Sequence, residues 1–452
     1  MRPILSKTTY MYGLQCIKRL YMNKFHKTLA NDEDEITQSI FQTGTDVGEL
    51  AQQLFPNGVN AQGNEEFHSS ITVLKTAELL LNNNIIYEAA FIYNEVICAV
   101  DILVKKGDEY YACEVKSTTK VKPQHIEDAA LQYYVLKNCG LKIADFSIVH
   151  FDSSYVKIGE INIDKLFKAT SVLEEVGDKQ NAIETNIEAM KLLLQQNEIP
   201  IKDMGKQCYT PYDCNFSKYC KSLLPTIEEI EVIPDNSILV ENDLWNDFTS
   251  GIQYPLYYFD FETIMYGIPV FDYSRPFQQI PFQYSLHVQN EQGGNTLHFE
   301  FLGNGNDDPR ETLIKQLIIE LGSIGSVFVW NVTFEKNVLK KLAIDFPQYT
   351  VEINAIIDRL VDLMPPFRPN KTVFSQAFNG SYSIKKVLPV VVPELSYNDL
   401  IIQEGGTASF KYGQMNDLNE AEKDKLRIDL LDYCKRDTFA MVRIFDNINA
   451  MI

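Results

Sequence analysis

The 452-residue sequence predicts an α/β protein of two domains. Three observations carry that expectation. Two long regions each mix short β-rich runs with runs of helical spacing. Between them, residues 224–247 (LPTIEEIEVIPDNSILVENDLWND) are acidic, hold two prolines and keep no sustained apolar period. The composition, 45% hydrophobic and 23% charged, is that of an ordinary globular chain able to bury a core. The expected organisation is a first domain over 1–225, an acidic linker over 226–250 and a second domain over 251–452.

In chain order, residues 70–85 read as a helix, and two β-rich runs follow, IIYEAAFIYNEVICAVDILV and EYYACEVKS, joined by KKGDE, which has hairpin chemistry. Residues 124–138 have helical spacing and stop before Gly140, a C-cap residue. SIVHF reads as a strand, and 161–197 as helix-rich. Past the linker come strands in YYFDF, FQYSLHV and HFEFLG, then the helix RETLIKQLIIELGSI, the strand VFVW and the helix TFEKNVLKKLAIDF. Residues 417–450 read as one helix or a helix pair, and no internal repeat or low-complexity tract is present.

No apolar run approaches the ~18–20 residues of a membrane span, and MRPILSKTTYMYGLQC lacks the apolar core of a signal peptide. The expectation is a cytoplasmic protein with no membrane partner, whose eight cysteines are reduced thiols or metal ligands rather than disulfides. A net charge of −20 argues against a generic nucleic-acid coating protein. It does not argue against a nuclease, whose clustered carboxylates are offset by bound divalent cations. Basic residues gather locally at Lys18, Arg19, Lys24 and Lys27, and at Lys116, Lys120 and Lys122.

Two sets of carboxylates suit hard divalent cations beside a phosphodiester. In the first, Asp101 precedes Glu114 by thirteen residues, and Lys116 lies two further on. Glu114 and Lys116 share a strand face. Two carboxylates can hold a metal, and the ammonium can orient water or stabilise phosphorane charge. The pattern resembles the PD-(D/E)XK nuclease superfamily, with Val100 where that family nominally has Pro. Its RecB-like branch adds an upstream acid or His and a downstream Gln, roles that the resemblance gives to Glu49 (TGTDVGELA) and Gln132 (DAALQYYVL).

Cys208, Cys214 and Cys220 stand in CYTPYDCNFSKYC, and Cys16 lies far upstream in YMYGLQCIKRLYM. Thiolates held at one point suit an iron–sulfur cluster or Zn²⁺. One Cys before the first carboxylate set and three after it resemble the iron–sulfur nucleases of the AddB and CRISPR-associated prespacer-processing type. There a 4Fe–4S cluster ties the two ends of the domain together. The last three cysteines of those proteins often include a CxxC pair, absent here, so Zn²⁺ stays an alternative. Cys98, Cys113, Cys139 and Cys434 read as core residues.

The second set begins with Asp260 and Glu262 on one strand face. Asn331 and Glu335 follow in VFVWNVTFEKNVLKKLA, and Tyr433 and Asp437 share a helix face at i and i+4. The order resembles the three motifs of the DEDD exonucleases of the DnaQ and RNase D type, in their Tyr variant, with Glu335 where those enzymes usually have Asp. Asp362 and SYSIKKVLP resemble intermediate elements that support the site or position substrate.

The whole chain resembles a bacterial fusion of an iron–sulfur PD-(D/E)XK-like domain with a ribonuclease-H-like DEDDy exonuclease domain. The resemblance implies two sites holding Mg²⁺ or Mn²⁺, with Asp101, Glu114, Asp260, Glu262, Glu335 and Asp437 as ligands. It implies a nucleic-acid substrate, DNA in preference to RNA, cut at single-stranded or frayed ends, with 3′–5′ polarity at the second site. The alternative is a nucleic-acid-binding or assembly module in which one or both sites are inactive.

Overall fold

The computed structural model describes residues 4–32, 35–63, 70–224 and 237–452. The chain divides into two compact units, Met1–Thr226 with Gly267–Phe277, and Ile227–Tyr266 with Gln278–Ile452. Both mix helices and sheet. No helix among the described residues is long and apolar enough to cross a membrane.

In chain order the first unit contains β1 (Leu5–Ser6), α1 (Lys7–Gln15), α2 (Ile17–Phe25), α3 (Glu35–Gln52), β2 (Val59–Asn60), α4 (Ser70–Leu79), β3 (Ile85–Tyr93), β4 (Val96–Lys106) and β5 (Glu109–Lys116). It continues with α5 (Pro123–Asn138), β6 (Ile143–Phe151), α6 (Ile163–Leu166), β7 (Phe167–Ser171), α7 (Leu173–Asp178), α8 (Gln180–Leu193) and α9 (Ser217–Ser222). Its sheet runs β2-β3-β4-β5-β6-β7, with β1 paired in parallel to β4. The β-rich run over 85–104 is a hairpin of β3 and β4, turned by Asn94 and Glu95 at positive φ. The expected helix-rich region 161–197 also contributes β7, the edge strand paired to β6.

One face of this sheet packs Val96, Cys98 and Val100 against Leu131, Val135, Ile183 and Ile187 of α5 and α8. The other packs Ile102, Val104 and Cys113 against Val47 and Ala51 of α3. On β4, Leu103 belongs to the first core and Ile102 to the second, so the alternation slips at Asp101. Opposite it, Glu88 sits at φ 54°, a costly backbone state for a residue with a Cβ. The ladder skips this pair, and β5, parallel to β6 from Tyr110 to Lys116, leaves β4 after Ile102–Cys113.

The second unit holds β8 (Leu239–Val240), α10 (Asn242–Thr249), β9 (Leu256–Met265), β10 (Gln279–Gln289), β11 (Thr296–Leu302), α11 (Arg310–Leu321), β12 (Ser326–Val329) and α12 (Val332–Asp345). After these come α13 (Thr350–Ile357), β13 (Leu360–Asp362), β14 (Val373–Phe374), α14 (Ile384–Val391), α15 (Gly405–Gly413) and the single helix α16 (Glu420–Asn449). The sheet order is β11-β10-β9-β12-β13, antiparallel on one side of β9 and parallel on the other. Tyr257, Phe259 and Phe261 turn to the core beneath α11–α13. The alternate residues Tyr258, Asp260 and Glu262 therefore face the side covered by α16, where the Tyr258 and Phe328 rings meet Phe445.

The expected linker over 226–250 differs from this fold. Residues 226–236 lie outside the described residues. Beyond them Leu239–Val240 pair with β14, and α10 buries Trp245, whose indole N–H donates to Asn449 Oδ1 at 2.8 Å. The acidic composition hid an amphipathic turn anchored by one tryptophan. The expected domain boundary also missed a short excursion, because Gly267–Phe277 pack with the first unit, where Phe277 meets Phe151 edge-on.

Candidate metal centres

The strand divergence at Asp101 creates the first centre. Asp101 Oδ2 accepts the Val115 N–H at 2.6 Å, so its carboxylate takes the place of a missing ladder partner. Glu114 projects from β5 and is almost wholly buried. Its Oε1 accepts from Lys116 Nζ and from Lys7 Nζ, each at 2.7 Å, and its Oε2 accepts from Gln132 Nε2 at 2.8 Å. Asp128, one turn before Gln132 on α5, accepts Lys116 Nζ at 2.5 Å and Gln132 Nε2 at 3.1 Å. Gln132 Oε1 is buried with no hydrogen-bond partner among the described residues.

The electrostatics follow from crowding in a low-dielectric pocket. Burial, reinforced by Glu114, pushes Asp101 up to about 7. Burial, with Asp101 and Glu114 adding to it, pushes Glu88 up to about 8. Asp128 goes the other way: burial opposes its charge, but Lys116 and Lys7 outweigh that and hold it below the usual carboxylate range. Lys7 stays charged despite its burial, because Asp128 and Glu114 stand beside it.

Of the residues expected here, Asp101, Glu114, Lys116 and Gln132 come together and Glu49 does not. Glu49 is exposed on α3. Val47 and Ala51 point that helix's inner face into the core, and a residue two positions from each lies on the opposite side. Glu88 supplies the additional acid instead. Its signal was a lone charge inside an apolar strand run. Asp128 was legible as the i−4 neighbour of Gln132, whereas nothing local marks Lys7.

The second centre rests on both sides of β9. Asp260 and Glu262 point toward α16, and a bulge between Pro281 and Gln283 lies opposite Glu262. Glu335, in the first turn of α12, is buried, and its Oε2 has no hydrogen-bond partner among the described residues. Asp437 of α16 accepts the Tyr397 hydroxyl. Tyr433, one turn earlier, receives a hydrogen bond from Lys385 Nζ at 3.3 Å. Arg436 anchors the Tyr397 loop through the Ser396 carbonyl and Asp399.

Burial pushes Asp260 well above the usual carboxylate range, and Asp437, Glu262 and Glu335 add their repulsion. Burial and Asp437 raise Glu262 to about 8. Burial raises Glu335 to about 8, with Asp362 contributing. Burial lifts Asp437 to about 6 against the hydrogen bond from Tyr397 and the charge of Lys385. Such a cluster is poised to exchange protons for divalent cations. Asp260, Glu262 and Cys434 offer ligand atoms that all lie within 4.8 Å of one another. Cys434, expected in a core, is buried at this centre, its Sγ 4.0 Å from Asp260 Oδ2. The Cβ of a residue replacing Gly405 would stand 3.3 Å from Glu262 Oε2, so glycine lets the start of α15 lie over the acid.

Cys16, Cys208, Cys214 and Cys220 line one cavity in the first unit. The Cys214 N–H donates to the Cys208 carbonyl at 2.8 Å, closing the loop between them. Burial raises the Cys214 and Cys220 thiols, with Lys18 pulling Cys220 down. The four-thiol donor set, with Met22 and Phe216 packed beneath it, fits a soft metal or an iron–sulfur cluster. Cys98 and Cys113 are buried as expected, but Cys139 is exposed.

Residues 257–383 match a family described as a domain of unknown function, DUF2779. That stretch holds Asp260, Glu262, Glu335 and Asp362. The chain is 33% identical over 206 residues to the uncharacterized protein MG366 homolog of Mycoplasma pneumoniae and to the uncharacterized protein MG366 of Mycoplasma genitalium, covering 41% of this chain and 31% of each relative. It is 30% identical over 209 residues to the uncharacterized protein UU173 of Ureaplasma parvum, covering 41% of this chain and 30% of that protein. The matches thus span about a third of the length of these curated relatives.

Proposed function

We propose that the protein is a metal-dependent nuclease that hydrolyses phosphodiester bonds at single-stranded or frayed nucleic-acid ends, DNA in preference to RNA. One observation carries the reading: half-buried Asp260 converges with the buried carboxylates of Glu262, Glu335 and Asp437 beside the Tyr433 hydroxyl. The carboxylates would hold two Mg²⁺ or Mn²⁺ ions. When bound, those ions supply Lewis acidity and lower the pKa of coordinated water. Tyr433 would orient the attacking water, and Lys385, bound to its hydroxyl, would offset charge on the phosphate. In the first unit Asp101, Glu114 and Glu88 would hold the cation, and Lys116 would steady charge on the phosphate. The cysteine cavity would hold a 4Fe–4S cluster, with Zn²⁺ as the alternative for the same four thiols.

A second reading has a specific observation behind it. Two ammonium groups share Glu114 Oε1, which favours a first unit that grips nucleic acid while the second unit alone cuts it. End-labelled oligonucleotides with Mn²⁺ decide between the readings, using wild type, Asp101→Asn, Asp260→Asn and the double variant. Stepwise shortening from the 3′ end, abolished by Asp260→Asn, is the expected result. Residual cutting that Asp101→Asn removes assigns activity to both units. Degradation unchanged in all four proteins overturns the proposal.

A further inference from the structure

Residues 1–30 and 200–224 carry ten Lys and Arg against two Asp and Glu, in a chain of net charge −20. The fold joins these distant segments. Gln15 Nε2 donates to the carbonyls of Gln207 at 2.7 Å and Tyr212 at 2.6 Å, and the Asn31 N–H donates to the Asn215 carbonyl at 2.6 Å. The joined segments enclose the four-cysteine cavity. Lys24, Lys27, Lys202, Lys206, Lys218 and Lys221 are all exposed on this module, and among the described residues none forms an ion pair. Lysines gathered in excess over the exposed Asp203 and Asp213 repel one another, and an anionic partner relieves that repulsion.

The module also exposes aromatic rings. Tyr209 is 63% exposed, Tyr212 56% and Phe25 49%. Tyr209 and Tyr212 stand in the loop closed by the Cys208–Cys214 backbone bond, so the rings are presented on a pinned backbone. Lysines for phosphates and open rings for base faces are the two components of a single-strand grip. A duplex hides its base faces, and an acidic protein has no need of the rings. Position agrees with this. Lys7 opens α1 at the first carboxylate centre and Cys16 follows its end, so the grip begins one helix length, about 13 Å, from that centre.

We infer that the cysteine module binds single-stranded nucleic acid, with Tyr209 and Tyr212 stacking on bases and the exposed lysines meeting phosphates, and delivers the strand to the first carboxylate centre. The delivery rests on the nuclease reading; the binding does not.

Fluorescence anisotropy tests it, with labelled oligothymidylate and the full-length Asp101→Asn/Asp260→Asn protein without added divalent cation. Tyr209→Ala/Tyr212→Ala should weaken binding about five- to hundred-fold per ring, the range of base stacking, and leave the salt dependence alone. Lys202→Gln/Lys206→Gln/Lys218→Gln should lower the slope of log affinity against log salt by about 2, at roughly 0.7 per phosphate contact. Thiol-bound metal content and thermal unfolding should stay as in the parent, which separates lost contacts from a lost fold. Absence of binding by the parent overturns the inference, as does Tyr-variant binding equal to the parent's. Equal competition by polyglutamate also overturns it, reassigning the patch to acidic proteins. If the grip behaves as stated while wild type cuts nothing with Mn²⁺, the nuclease reading and the delivery fail and the binding stands.

Discussion

Glu114 accepts three side-chain donors through two oxygens, and two of those donors are ammonium groups on the same atom. A divalent cation reaching that oxygen must displace one of them. Lys116 is also held by Asp128 at 2.5 Å, whereas Lys7 stands 3.9 Å from Asp128, so Lys7 is the one to yield. Lys7→Met should therefore raise Mn²⁺ affinity at the first centre. A charged hydrogen bond is worth about 1.5–3 kcal/mol, which corresponds to roughly ten- to hundred-fold. Calorimetric titration in an Asp260→Asn background measures it. Weaker binding would mean that Lys7 is only a scaffold for Glu114. The sequence marks Lys116 through Glu-x-Lys, but Lys7 sits 107 residues from its partner and carries no local signal.

At the scale of elements, short-range periodicity was a good guide where each face had one environment. In strand β9 Tyr257, Phe259 and Phe261 all enter one core, so the sharing of the other face by Asp260 and Glu262 was legible. Strand β4 slips at Asp101 because it crosses from one core to the other where β5 departs, and no sequence period encodes that departure. The expected linker failed for a different reason. In α10 one buried residue, Trp245, outweighs a run of acids, and its ring lies 5.8 Å from Phe445. Trp245→Ala should destabilise the second unit by about 3–5 kcal/mol, the cost of emptying a large aromatic site. Chemical denaturation followed by the fluorescence of the remaining Trp330 reads this out. A loss below ~1 kcal/mol would return the segment to the status of a tether.

For the whole molecule, the acidic centre makes stability depend on pH. Glu262 and Glu335 are held near 8 in the fold by burial, against an ordinary value near 4.5 in the unfolded chain. Between those values the folded form binds more protons than the unfolded form, so the stability of the metal-free second unit falls as pH rises. Added Mn²⁺ replaces the protons and should restore most stability at the alkaline end. A change of even ~2 kcal/mol moves the melting temperature of a domain this size by about 4–8 °C. Calorimetric scans across that window, with and without Mn²⁺, provide the check. A metal-free melting temperature that climbs with pH would show that the carboxylates are not crowded as described.

The sequence alone determined what depends on neighbours within a few residues. That includes the mixed α/β character, the strand pairs Asp260/Glu262 and Glu114/Lys116, the helix pair Tyr433/Asp437, and the spacing of Cys208, Cys214 and Cys220. Backbone periods of two and 3.6 set these relations before any tertiary contact forms. Tertiary structure decided which distant groups complete each cluster: Lys7 and Glu88 with Asp101, Lys385 and Tyr397 with Asp437, and Cys16 with the later cysteines. It also turned Glu49 outward, because the apolar face of α3 had to meet Ile102 and Cys113 and left that acid on the solvent side. Burial of apolar surface chooses those pairings across a hundred residues or more, and a charged side chain takes the place that this choice leaves it.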